Sequence, residues 1–285
     1  MFKKTILLFA LTFIVSHHTC ANDSDKQKSK FRFAFFTDIH LNKGDNRCFE
    51  GLELAIESAK SKHIDFILTG GDNVDIDVLG KDRKTARELY QRYVEVIQNA
   101  GIDYHVTLGN HDRYFGCKKT NPLYNEGMFE KYISLSYYSF NNKGWHFIVL
   151  NTANSVVDEK QKRWLAEDLA KVDAETPIIV AVHVPFLSVY YPALEGEYRS
   201  DDTFSNFREI WDMFAEHKLK LVLQGHQHLY EEIKTLDVQF ITAGAVSASW
   251  WGGAFHGTEE GYLIVECEGD EFTWEYVDYG WEVKK

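Results

Sequence analysis

Five apolar runs in this chain end in the same way. The blocks "TDIH" at 37–40, "GGDN" at 70–73, "GNHD" at 109–112, "VHVP" at 182–185 and "GHQH" at 225–228 each close a stretch that reads as a buried strand. In an open α/β sheet, groups just beyond the carboxyl ends of the strands line the ligand crevice. Asp38, His40, Asp72, Asn110, His111, His183, His226 and His228 are therefore expected to converge. In the last block, a spacing of two would put His226 and His228 on one face of an extended chain, with Gly225 leaving room for the turn. Any one block is weak, because Asp often begins a turn and a histidine after a strand is usually a hydrogen-bonded core residue. The set of five in one chain is what carries information.

Carboxylates mixed with imidazoles suit borderline divalent metals such as zinc, manganese or iron, and the lack of a Cys among them argues against a thiolate site. Eight such groups exceed what one four- to six-coordinate ion needs, so two ions are expected. A pair of ions needs a bridging carboxylate, and at roughly 3.5–4 Å apart it lowers the pKa of a bound water and neutralises phosphoryl oxygens. Hydrolysis of phosphate esters follows as the expected chemistry.

The frame around the blocks is strand, polar loop, helix, repeated. "FRFAFFTDIH", "IDFILTGGDN" and "IDYHVTLGNHD" read as strands, with helices over 48–62 and 85–98 between them, which points to βαβ units and a largely parallel sheet. "YYSFNNKGWHFIVLNT" predicts an antiparallel hairpin, residues 158–171 an amphipathic helix carrying Trp164, Leu165 and Leu169, and 207–217 a further helix. "PIIVAVHVP" and "KLVLQGHQH" are two more buried strands, and short strands fill 231–279. The expected class is mixed α/β with two packed sheets and helices outside.

In this order the motifs "DIH", "GDN", "GNHD", a lone His and "GHQH" resemble the calcineurin-like metallophosphoesterase superfamily, nearest its bacterial branch that includes cyclic nucleotide phosphodiesterases. The resemblance covers residues 38–228 by motif and about 31–280 by flanking strands. It implies a four-layer αββα sandwich with a dinuclear centre at one edge. Carried over, Asp38, His40 and His228 hold one ion, Asn110, His183 and His226 the other, and Asp72 bridges them. His111 then protonates the leaving group, and Asp112 either orients His111 or merely ends its loop. Purple acid phosphatases carry a Tyr three residues after the bridging Asp, where Asp75 stands here, and lack the histidine that is His40, so a purple ferric enzyme is disfavoured. Phosphodiesters, cyclic nucleotides among them, are expected slightly ahead of phosphomonoesters. A binding protein that kept the fold without the chemistry is the remaining reading, and it should show missing ligands.

Specificity is expected from loops. Arg113 in "RYFG" and Arg199 in "EGEYRSDD" are candidate phosphoryl clamps, although arginines in acidic loops mostly form surface ion pairs. Trp250 and Trp251 beside paired glycines are candidates to stack a nucleobase or aryl group, or to seal a core edge.

Residues 1–21 pair a basic start with a short apolar run and a small-residue exit, the pattern of a secretory signal peptide; a flexible segment 22–30 and one domain over 31–285 would follow. A secreted or periplasmic protein is expected, with membrane attachment only if Cys20 is lipidated, and His17 stands where such signals usually carry a Leu-like residue. Loss of 1–21 removes two lysines and no acid, taking the formal charge from −12 to −14. That acidity, without Lys/Arg tracks, argues against a nucleic acid polymer as partner and leaves a small phosphate ester. Cys48 and Cys117, each just past a strand end, are candidates for a disulfide, and three unpaired thiols are the alternative.

Overall fold

The computed structural model describes residues 29–199 and 203–283. The expected leader 1–21, Cys20 and most of the segment 22–30 lie outside the described residues. In chain order the first half runs β1 (Lys30–Phe36), α1 (Arg47–Ser61), β2 (Phe66–Thr69), a 3-10 turn at Asp77–Leu79, α2 (Arg83–Asn99), β3 (Asp103–His105), α3 (Gly127–Tyr132), β4 (Tyr138–Asn142) and β5 (Trp145–Val149). The second half runs α4 (Glu159–Leu169), β6 (Pro177–Ala181), α5 (Tyr190–Leu194), α6 (Phe207–Asp212), β7 (Lys218–Gln224), β8 (Glu231–Thr235), β9 (Val238–Thr242), β10 (Gly261–Glu268) and β11 (Glu271–Asp278).

Strand β1 shows why the layers form. Phe31, Phe33 and Phe35 point to one side and Ala34 and Phe36 to the other, and both sides are buried. A strand apolar on both faces needs cover on both. The odd-numbered phenylalanines meet Leu68, Phe147, Ile179 and Leu221 in a core between two sheets, where Phe33 stacks on Phe66 with centroids 4.9 Å apart. Ala34 and Phe36 meet Leu52, Ala55, Leu89 and Tyr93 from α1 and α2. On the far side, Ile178, Val180 and Val222 meet Leu165, Leu169 and Ile210 from α4 and α6. Helix, sheet, sheet and helix are the four layers expected from the sequence.

One sheet has the order β11-β10-β1-β2-β3 and the other β4-β5-β6-β7-β9-β8 among the described residues. β1, β2 and β3 run parallel, as do β5, β6, β7 and β9, while β10, β11, β4 and β8 pair antiparallel at the margins. All parallel strands therefore deliver their carboxyl ends to one edge of the sandwich. In β7 the pairing with β6 skips Lys220, so Leu219 and Leu221 stand opposite Ile178 and Ile179. This bulge puts Leu221 and Leu223 into the inter-sheet core and leaves Lys220 to reach Glu271.

Two expectations are corrected here. Cys48, Cys117 and Cys267 are free thiols. Cys48 is buried at the start of α1 and its thiol donates to the Asp45 carbonyl at 2.7 Å, so it turns under its own helix instead of toward Cys117. The helix expected over 207–217 stops at Asp212, because Met213, Phe214 and Ala215 each donate to the carbonyl three residues back and the segment tightens into turns before β7.

Candidate functional site

The strand-end residues reach their places through unusual backbone. Asp38, His40, Asp72, His226 and His228 all have φ between 51° and 74°, in the left-handed region. For L residues this region costs of the order of 1–2 kcal/mol each, and it persists only where the surroundings over-determine it. Here they do. Asp38 and His40 donate their amides to the carbonyls of Gly71 and Asp72 at 3.0 and 2.9 Å, the Asp38 carbonyl accepts from Ser247 Oγ at 2.7 Å, and Trp251 Nε1 donates to Ile39 O at 3.0 Å. The His226 amide donates to Asp38 Oδ2 at 2.9 Å and the His111 amide to Asp72 Oδ1 at 2.7 Å, so the carboxylates position other loops as well. Gly109 and Gly225 make these approaches possible: a Cβ on Gly109 would lie 2.0 Å from the Asp72 amide nitrogen, and one on Gly225 would lie 2.0 Å from Thr37 Oγ1. His226 and His228 are thus not on one face of an extended strand. Each sits at its own left-handed turn, and the turns send them to different groups.

Asp38, His40 and His228 form one group of convergent donors; Asp72, His183 and His226 form another; and His40, Asp72 and His111 form a third, with Asp72 common to the last two. His40 Nε2 lies 3.0 Å from His228 Nε2, which is 3.4 Å from Asp38 Oδ1. His183 Nε2 lies 2.9 Å from Asn110 Oδ1 and 3.1 Å from Asp72 Oδ2. Asp72 Oδ2 is in turn 3.9 Å from His40 Nε2 and 4.0 Å from His111 Nε2, which places Asp72 between the two halves.

The outer nitrogens decide what the inner ones can do. His40 Nδ1 donates to Asp75 Oδ1 at 2.7 Å, His228 Nδ1 to Ala248 O at 2.5 Å and His183 Nδ1 to Gly70 O at 2.9 Å. A neutral ring with its proton at Nδ1 presents a lone pair at Nε2. Two lone pairs therefore face each other between His40 and His228, and a third faces the oxygens of Asn110 and Asp72. Only a proton or a metal ion makes such an arrangement favourable, and the carbonyl and carboxylate partners behind the rings are those that orient metal-ligating histidines. The residues fit two ions of the zinc, manganese or iron class.

The electrostatics point the same way. Burial lowers the basicity of His183, but Asp72 and its hydrogen bond outweigh burial and lift it to about 9. Burial likewise opposes a charged His40, and Asp75 and Asp72 overcome it. Burial would raise the Asp72 carboxyl, yet His183, His40 and His111 around it hold it well below the usual carboxylate range. Burial, reinforced by the neighbouring His183 charge, pushes His226 down to about 4. The pocket favours positive charge at its centre and keeps neutral imidazoles at its margin.

His111 Nδ1 bonds Asp77 Oδ1 at 3.0 Å, and its Nε2 faces the cluster. Burial opposes protonation, but Asp77 and Asp72 raise His111 to about 9. Asp77 and Asp75 were missed as site residues; in "GDNVDID" the acids stand at 72, 75 and 77, three and then two residues apart, too irregular for a face. Asp112 is elsewhere than expected. It is fully buried and accepts from the amides of Asn73, Val74 and Gly109 and from Asn73 Nδ2 at 2.8–2.9 Å. It thus clamps the "GGDN" loop to the "GNHD" loop and does not orient the His111 ring. Burial and the nearby Asp72 charge raise its carboxyl, against the pull of those N–H groups.

Arg113 stays beside the cluster, donating from Nε to Asn110 O at 3.1 Å and from Nη1 to Asn154 Oδ1. Arg199 pairs with Glu195 and Glu197 and lies 4.4 Å over the Tyr191 ring, which is the surface ion pairing weighed above. The two tryptophans divide: Trp251 is fully buried, and Trp250 lies over the His228 ring with centroids 4.3 Å apart.

A family model described as calcineurin-like phosphoesterase matches residues 31–230. A probable cyclic nucleotide phosphodiesterase of Fibrobacter succinogenes is 24% identical over 211 residues, covering 71% of this chain and 74% of that protein. Phosphoenolpyruvate phosphatase of Allium cepa is 30% identical over 145 residues, covering 50% of this chain but only 28% of that protein. A dimetal phosphatase from Danio rerio shares the fold with a TM-score of 0.62 at 13% identity, over 88% of this chain and 99% of that one.

Proposed function

Because this chain belongs to the calcineurin-like phosphoesterase family, we propose that it hydrolyses phosphate esters with two bound metal ions, diesters ahead of monoesters. Asp38, His40 and His228 would hold one ion, Asn110, His183 and His226 the other, and Asp72 both. When bound, the ions supply an activated water and positive charge for phosphoryl oxygens. The observation that carries the reading is the set of inward Nε2 lone pairs around Asp72, each fixed by an outward Nδ1 bond.

The protein's own groups do the remaining work. Asp77 holds the His111 Nδ1 proton, so Nε2 is the atom able to pass a proton to a departing alkoxide. Arg113, held by Asn110 O and Asn154, is placed to meet a phosphoryl oxygen at the edge of the Asn110 half. Asp112 keeps the two loops in register. No covalent enzyme intermediate is required.

Diesters are favoured because, by sequence, the cyclic nucleotide phosphodiesterase of Fibrobacter succinogenes matches over 71% of this chain and 74% of its own, whereas the phosphoenolpyruvate phosphatase of Allium cepa matches over 50% and 28%. The test is hydrolysis of bis(4-nitrophenyl) phosphate, 4-nitrophenyl phosphate and cyclic AMP by manganese-, zinc- and iron-loaded protein, alongside metal analysis. Two ions per chain and turnover of the diesters are expected. A fully metallated protein inert on all three overturns the reading. On the same reading the protein acts outside the cytoplasm, from the leader-like residues 1–21; an intact N-terminus on the protein recovered from its native cells would count against export.

A further inference from the structure

Among the described residues, several of the exposed large apolar side chains lie in the segments that follow the strand ends at the site. Val78, Phe115, Val156, Val189, Leu194 and Trp250 follow β2, β3, β5, β6, β6 and β9 respectively. A phosphate site needs polar surroundings, so an apolar rim concerns the rest of the substrate. Trp250 stands out. It is 51% exposed while its neighbour Trp251 is 0% exposed. One indole face lies against His228, with centroids 4.3 Å apart and planes 27° apart, and His40 is 5.5 Å away. The edge is braced by Phe255 at 6.2 Å and 86°.

The indole is also held in place at a backbone cost. Trp250 and Trp251 have φ of 48° and 67°, which for bulky residues is rare. Trp251 N bonds Ser247 O at 2.7 Å and Ser249 N bonds Gly253 O at 3.0 Å, and the buried Trp251 indole anchors the turn through Ile39 O. A strained, pinned turn that presents a flat ring to solvent beside ligand histidines is a preorganised surface. His40 has the His111 ring at 5.1 Å and the Trp250 indole at 5.5 Å, so a group carried on the phosphorus and lying across these histidines comes within reach of the indole.

We propose that Trp250 is a stacking platform for a planar aromatic or heteroaromatic group on the substrate, which makes aryl or nucleoside phosphate esters the substrate class. This rests on the phosphoesterase reading above. Stacking of a flat ring on an aromatic side chain changes affinity by about tenfold or more, whereas an alkyl chain of similar area gains nothing specific from a flat partner.

The test is calorimetric binding to the metal-loaded protein of inorganic phosphate and of methyl-, hexyl- and phenylphosphonate and the phosphonate analogue of adenosine monophosphate. The affinity ratio of each to methylphosphonate within one variant cancels changes in the metal centre itself. Wild type is expected to prefer phenyl or adenosyl over methyl by about tenfold or more, with hexyl well behind; Trp250→Ala should bring that ratio within about twofold, and Trp250→Phe should keep most of it. A stronger response to the adenosyl analogue assigns nucleotides, and equal responses assign aryl esters broadly. Equal ratios in wild type and Trp250→Ala, or hexyl matching phenyl, overturn the platform alone. Failure of phosphate and every phosphonate to bind overturns the phosphoesterase reading, and the platform with it.

Discussion

Two clusters in this molecule join buried histidine to carboxylate, and they differ in what each leaves over. At the sandwich edge, His40, His183 and His228 spend Nδ1 on Asp75, Gly70 O and Ala248 O and keep Nε2 for the centre. Under α4, His146 spends both nitrogens: Nδ1 meets Asn141 Oδ1 at 2.7 Å and Nε2 meets Asp168 Oδ2 at 2.8 Å, while Ser139 donates to Asp168 Oδ1 at 2.7 Å. The second cluster is closed and ties β4 and β5 to the helix. The first is open, with three inward nitrogens that only a proton or a metal ion satisfies. Burial and residue type are alike in both, so neither separates a ligand from a strut; the unspent nitrogen does.

The largest expected effect comes from removing the residue both halves share. Asp72→Ala should cost several kcal/mol of transition-state stabilisation, so turnover should fall on the order of 10³-fold or more, and metal content should drop below two per chain. Stoichiometry by atomic emission on purified variants checks it, and retention of two ions would break the contrast between clusters. His111→Ala should keep both ions and lose about 10²–10⁴-fold on alkyl esters, with a smaller loss on 4-nitrophenyl esters, whose leaving group needs no proton. An equal loss on both ester types would remove His111 from the proton-donor role.

Next in size is the carboxylate behind His40. Asp75→Ala should weaken metal binding about 10–100-fold. Asp75→Asn keeps an oxygen to accept from Nδ1 and should recover part of that loss. Competition with a chromophoric chelator measures both, and equal affinities for wild type and Asp75→Ala would show that His40 needs no fixed tautomer.

How much of this was legible follows from what a sequence records. The five blocks were readable because ligand chemistry resides in residue type, and strand ends are marked by the stop of an apolar run, as at "FAFFTDIH" and "LVLQGHQH". Two packed sheets with helices outside were readable because apolar strands alternate with helical spacing along the chain, and the four-layer order came from the family resemblance. Backbone hand was not. Nothing in "DIH" or "GHQH" announces φ near 50–75° at Asp and His, since those angles are imposed by hydrogen bonds from residues as far as 209 positions away. The same remoteness hid Asp112, whose partners Asn73 and Val74 belong to another strand end, and separated Trp250 from Trp251, which are adjacent in the chain and opposite in exposure.

The closed cluster makes the fourth prediction. His146→Phe leaves Asp168 and Asn141 without their partner and should cost roughly 2–3 kcal/mol of stability, while metal content and the ratio of kcat/KM between substrates stay as in wild type. Denaturant titration and metal analysis on the same preparation check it. A variant that loses metal without losing stability would show that the two clusters communicate.

A third kind of histidine gives the smallest effect and the control for the other two. His105 at the end of β3 lies flat on Phe140, with centroids 3.5 Å and planes 7° apart, and edge-on to Phe66 at 5.6 Å. It is held by rings instead of by carboxylates or carbonyls. Burial pushes it down to about 4, with Asp103 opposing weakly. Its folded pKa lies below the unfolded value near 6.5, so the unfolded chain binds the proton first. The stabilisation is complete above about pH 6.5 and is lost as pH falls toward 4, reaching roughly 1 kcal/mol at pH 5 once discounted for the part of the ring open to solvent. His105→Phe keeps the stack and removes the proton, so its stability should fall less than wild type between pH 6.5 and 4.5 by denaturant titration of the metal-loaded protein. If the two curves stay parallel, the acid sensitivity belongs to the open cluster, where protons and metals compete for the same Nε2 atoms.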